Sequence, residues 1–315
     1  MTRALTVRQT RSAQLGLALS PYHLTSREVP AMLASFLGDR VVTLLPLERE
    51  EADGTSPGLA SLMDAWSWSA PLWDEGLLGS RLNDDDARGD IDKVLSEIND
   101  ADCFAPLRPF VSMDGGEDPR RWLERVASDL LRGGPDPGLC VPMSAAIDRF
   151  AARRGVAVVR AGASSLAQQA EERLATRVFA FAMPLLAEAD ADRLLEARQR
   201  LEPQLDALRE EVSCAFAGAL GGDEVQASSV RSAADHFANA FERARADLLR
   251  TPDDPDDPRV VEAMVSVTGV LLPIDSVLRS SLAAVRRARG RGRGGALGPI
   301  PDTRVASLIV RRVGR

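Results

Sequence analysis

The sequence predicts an α/β fold: a mostly parallel sheet with flanking helices in the N-terminal half, followed by an antiparallel α-helical bundle. Three observations carry that expectation. Up to residue 186, short β-branched apolar runs alternate with amphipathic segments, as in a sheet covered by helices. Beyond Pro184 the apolar spacing changes, and Leu194, Leu201 and Leu208 recur seven apart. With 45% apolar and 27% charged residues, a chain of 315 residues has enough greasy surface to bury a core. The expected division is 1–186 as the α/β unit, 187–285 as the helical unit and 286–315 as a basic tail with a terminal strand.

Each element has its own signal. LGLALS (15–20) reads as the first strand, and 26–37 as a helix that Thr25 or Ser26 can cap. VVTLLP (41–46) is β-branched and stopped by proline, as a buried strand should be. Helices are expected at 57–69, before Pro71, and at 88–98, 118–131 and 144–154. VAVVR (156–160) and RVFAFAM (177–183) read as strands, separated by a helix over 166–174. In the second half, Pro203 should break the leucine-striped helix near Glu202, because an interior proline costs about 3 kcal/mol. Val230, Phe237, Phe241 and Leu248 mark the next helix, and TPDDPDDP (251–258) a solvated turn. A third helix is expected over 260–289, kinked at Pro273. VASLIV (305–310) then adds a strand to an exposed sheet edge.

Charge is segregated. The net charge is −7, yet from Arg286 to Arg315 nine arginines face one acid, Asp302, so the tail carries +8 and the rest −15. A polyanion would meet repulsion from the body and attraction from Arg286, Arg287, Arg289, Arg291 and Arg293. No apolar stretch approaches the eighteen or so residues that span a bilayer, and no partner membrane is expected. Cys103, Cys140 and Cys214 are widely spaced and odd in number, which fits reduced, packed thiols and a cytoplasmic address. Two histidines, His23 and His236, exclude a zinc site built on several histidines.

Most motif matches dissolve on inspection. Gly290, Gly292 and Gly295 spell a dinucleotide fingerprint, but the run leads to Pro299 instead of opening a helix after a strand. The acidic run at 83–89 places Arg88 and Leu95 where a calcium loop needs oxygen ligands. Ser164-Ser165 lacks the second glycine of a nucleophile elbow, and no Walker A sequence occurs. No cofactor is expected.

Open α/β sheets bind ligands beyond the carboxyl ends of their strands. That rule singles out Arg160, which can meet an anion, and His23, an acid–base candidate in combination with Asp39, Glu48 or Asp148. Trp68 falls off the core face of its helix and is the candidate partner surface. Two functions from different classes remain open. The first is an interaction or adaptor protein that binds another protein or itself, with weak nucleic-acid contact through the tail. The second is an enzyme acting on a phosphate-bearing substrate or nucleic acid, with carboxylates and Arg160 at the strand ends.

Overall fold

The computed structural model describes residues 14–43, 57–80, 150–152, 154–162, 176–221, 223, 225, 227–248, 259–269 and 304–313. Strands β1 (Gly16–Leu19), β2 (Arg40–Thr43), β3 (Leu78–Ser80), β4 (Ala157–Ala161), β5 (Thr176–Leu185), β6 (Arg259–Gly269) and β7 (Arg304–Arg312) form one sheet. Its order is β3-β2-β1-β4-β7-β6-β5. All neighbours from β3 through β7 pair in parallel, while β6 runs antiparallel to both β7 and β5. The fold is α/β, with a mixed and mostly parallel sheet.

The helices are α1 (Pro21–Thr25), α2 (Val29–Leu37), α3 (Pro57–Trp66), α4 (Ala70–Asp74), α5 (Ala191–Arg200), α6 (Glu202–Gly221) and α7 (Ala227–Leu248). A 3₁₀ turn, Ser67–Ser69, joins α3 to α4. All nine residues of α2 are buried, as expected of a helix with protein on every side. It crosses β1, β2, β4, β5 and β7 on one face of the sheet and meets α5 above. Phe36 of α2 packs edge-on against Phe237 of α7, with ring centroids 5.8 Å apart. α6 packs along α7, and each also touches the sheet.

Two arginines complete the carboxyl end of α2, where the last carbonyls of a helix lack partners. Arg198 Nη1 donates to the carbonyls of Ser35, Phe36 and Gly38 at 2.7, 2.7 and 2.9 Å. Arg209, 1% exposed, donates to Leu37 O, Glu202 Oε1 and Asp206 Oδ1. Positive charge at this end also opposes the helix dipole.

Several elements differ from the sequence reading, each for a physical reason. The stretch read as the start of a helix over 260–289 is strand β6. Glu262 is exposed, but Val261, Ala263, Met264, Val265 and Ser266 are all buried, the near-continuous burial of an interior strand between β7 and β5 covered on both faces. β5 continues through Pro184 to Leu185 instead of stopping before the proline. Among the described strands it has a neighbour on one side only, and an edge strand tolerates a missing N–H. β7 is interior, between β4 and β6, and does not extend a sheet edge. It lies within 286–315, and β6 within 187–285, so both stretches contribute to the sheet.

The first helix begins at Val29, with Glu28 as its cap and no capping bond from Thr25 or Ser26; a separate short helix, α1, precedes it. The break near Glu202 falls at Leu201, with Pro203 in the first turn of α6. β3 had no counterpart in the sequence reading. Cys214 is exposed, not packed, because it lies off the buried face formed by Val212, Ala215 and Phe216. Expected helices at 88–98, 118–131 and 166–174, the turn at 251–258, Cys103 and Cys140 lie outside the described residues.

Candidate active site at the carboxyl edge of the sheet

From β1 the chain steps outward to β2 and β3, then returns to place β4 on the other side of β1. In open α/β sheets such a reversal, beyond the carboxyl ends of the two strands, is where ligands bind. The carboxyl ends of β5 and β7 and the amino end of β6 lie along that same edge.

α1 follows β1 at once. Pro21 starts it, and its five residues carry Tyr22 and His23 over the edge. His23 Nδ1 lies 2.5 Å from Glu28 Oε2, and the Glu28 backbone N–H donates to His23 O at 3.0 Å. Their side chains are 13% and 32% exposed, half sheltered yet open to a ligand. The Tyr22 ring stands edge-on to the imidazole at 5.5 Å.

The turn that brings Glu28 back to His23 depends on Arg27, whose φ of 47° lies in the left-handed region disfavoured by side chains with a Cβ. Such a conformation persists only where its surroundings hold it. Here the Arg27 guanidinium lies over the Trp68 ring, 5.3 Å from its centroid. Its Nη2 donates to Glu188 O at 2.7 Å and also to Ala189 O. Two tryptophans tie down α1 itself. Trp66 Nε1 donates to Thr25 Oγ1 at 2.6 Å, and Trp68 Nε1 donates to Leu24 O at 3.2 Å.

Beyond this turn lie three more charges. Glu188 Oε1 is 3.6 Å from Arg259 Nη2 and 3.9 Å from Arg312 Nη2. Burial pushes the Glu28 carboxyl upward. The His23 hydrogen bond, the His23 charge, the Tyr22 hydrogen bond and the Arg312 charge outweigh it together and hold Glu28 below its ordinary value. Glu28 therefore stays ionised near neutrality, with Oε2 against His23 Nδ1.

The residues selected from sequence are not all brought together. Asp39 accepts from Leu15 N at 2.8 Å and lies 3.6 Å from Arg209, at the amino end of β1, while His23 lies beyond its carboxyl end. They cannot form a pair. Arg160 stands on β4 opposite Ile309 of β7, near the same edge as His23. Gly162 follows, and the Arg311 side chain crosses it so closely that an added Cβ would lie 2.6 Å from Cγ. Trp68 is half-buried, with its ring and N–H both engaged inside the chain. Glu48, Asp148 and the arginines at 286, 287, 289, 291 and 293 lie outside the described residues.

Glu28, Glu188, Arg259 and Arg312 were missed. The only signal for Glu28 was its place five residues after His23, which is not a helical spacing. Among the described residues, no group of three or more His, Cys, Asp or Glu side chains is arranged to hold a metal. No described helix is long and apolar enough to cross a membrane. Set against family models, curated proteins and solved structures, the chain matches none of them.

Proposed function

We propose that the protein is an enzyme that acts on a phosphate-bearing substrate at the carboxyl edge of its sheet, with His23 as the proton-transfer residue. The carrying observation is the 2.5 Å contact between His23 Nδ1 and Glu28 Oε2 beside the β1/β4 reversal. Glu28 orients the ring and balances the charge that His23 gains on taking a proton at Nε2. Tyr22 supports Glu28, and Arg160 and Arg312 supply positive charge near the same edge for a phosphate group. A panel of phosphate esters and nucleotides should contain a turned-over compound. His23→Gln should lower that turnover by about 10²–10⁴-fold, the range of general acid–base catalysis. Turnover unaffected by the substitution would remove His23 from the chemistry.

A second reading, as a cytoplasmic interaction protein, draws on β5. It ends the sheet over ten residues, and a free edge can pair with a strand of another chain. In this reading α5, α6 and α7 act as an antiparallel helical unit, and the 286–315 segment adds weak polyanion affinity. Light scattering over a concentration series checks it, since self-pairing through β5 makes the mass rise with concentration.

A further inference from the structure

We infer that Arg259 and Arg312 form the seat for the substrate's phosphate group and that Glu188 occupies it when no ligand is bound. This rests on the enzyme reading above and names the residues that grip the anion.

The two arginines reach the same place from neighbouring strands. Arg312 lies opposite Val261 in the β6–β7 register, and Arg259 stands two residues before Val261. Side chains two apart leave the same face of a strand, so both guanidiniums leave the sheet on one side at one edge. A single oxygen, Glu188 Oε1, faces both Nη2 atoms, at 3.6 and 3.9 Å. Those distances exceed a hydrogen bond, so the carboxylate offsets one of the two positive charges without filling either donor fork. All three side chains are about half exposed, at 46%, 54% and 45% for Arg259, Arg312 and Glu188. Exposed ion pairs of this kind are weak and readily exchanged.

A phosphate suits the seat better than the carboxylate it would displace. It carries more charge, and its oxygens can each accept from a guanidinium fork at hydrogen-bond distance. Charge balance favours the exchange. The guanidiniums of Arg27, Arg259 and Arg312 outnumber the carboxylates of Glu28 and Glu188 by three to two. Glu188 also belongs to the turn that Arg27 holds through the carbonyls of Glu188 and Ala189, so the occupant of the seat is fixed to the His23–Glu28 frame. Arg312 links the two parts, since its charge reaches Glu28 as well as Glu188.

The test is calorimetric titration of the full chain with inorganic phosphate at low ionic strength. Glu188→Gln removes the competing charge and should tighten binding roughly two- to fivefold, the range of an exposed ion pair. Arg259→Gln and Arg312→Gln should each weaken it by about tenfold or more, as expected for losing charged hydrogen bonds. Arg312→Lys, which keeps the charge but not the fork, should fall between wild type and Arg312→Gln, and thermal melts of each variant confirm folding. Equal affinity in wild type and Glu188→Gln, phosphate binding that survives Arg259→Gln with Arg312→Gln, or no binding by the wild type would overturn the proposal. Phosphate binding needs no proton transfer, so it would persist if His23 proved inactive. Conversely, turnover that depends on His23 without phosphate affinity would sink the seat alone.

Discussion

Arg209 Nε donates to the carbonyl oxygen of Leu37 at 2.7 Å, joining positions 172 residues apart in the sequence. The same guanidinium meets Glu202 and Asp206 at 2.9 Å and lies 3.6 Å from Asp39. It ties α6 to the end of α2 and to the turn before β2. Arg209→Met would remove one cation from beside three carboxylates and one donor from a helix-end carbonyl. Glu202 and Asp206 are 43% and 38% exposed, so water screens them, and the expected loss is about 1–3 kcal/mol, that of a buried hydrogen-bonding group left unmade. Urea unfolding followed by circular dichroism measures it.

The pH dependence of stability should carry a contribution from Glu28. Its carboxyl is held below the ordinary value of 4.5, so the folded chain takes up its proton at lower pH than the unfolded chain. The stabilisation is therefore full above the unfolded value and is lost as pH falls through the folded one. Melting temperatures of wild type and Glu28→Gln should differ most near neutrality and converge on acidification. A gap that widened toward low pH would reverse the assigned sign.

Gly162 and Gly79 should respond oppositely to alanine. At Gly162 the new Cβ would lie 2.6 Å from Arg311 Cγ, an atom close to the backbone that cannot simply swing away. Overpacking of this kind costs about 1–3 kcal/mol. At Gly79 nothing lies within 4 Å of the added Cβ. Gly79→Ala should be neutral or stabilising by up to about 1 kcal/mol, through lower entropy of the unfolded chain. Paired denaturation curves check both.

Cys214 should react in the folded protein. It is exposed on α6, so an aromatic disulfide reagent should label it before any denaturant is added. The rate should rise with pH, because the thiolate is the nucleophile. Cys214→Ser should remove one rapidly labelled thiol from the count.

The α/β class was legible because β1, β2, β4 and β5 are short apolar runs whose composition states burial directly. Position along the fold was legible too, since the strand-end rule reached His23 before any partner was known. The partner was not. Glu28 meets His23 through the backbone angle of Arg27, and that angle is held by Trp68 and by carbonyls some 160 residues away. No local spacing encodes such a contact. β6 was misread because Val261, Met264 and Val265 fit a helix while Val261, Ala263 and Val265 fit a strand. β-branching at Val260, Val261, Val265 and Val267 was the better arbiter. Arg209 was only half legible: Asp206 and Glu202 lie three and seven residues before it on one helix, but Leu37 and Asp39 come from a segment some 170 residues away.

The place of β7 governs how the chain can be made. A ribosome delivers β4 and β6 before the strand that must lie between them. Until then β3-β2-β1-β4 and β6-β5 have no strand to join them, and any sheet formed early would end in an open apolar edge on each side of the gap. Val158 and Val159 line one side, and Val261, Ala263 and Val265 the other. Unpaired edges of this kind recruit other strands, so the interval before β7 emerges is the time of greatest exposure to aggregation and to chaperones. Arrival of the last strand closes both edges and brings Arg312 toward Glu28 in the same event. A polypeptide halted before residue 304 would therefore be both unfinished as a sheet and unarmed as a site.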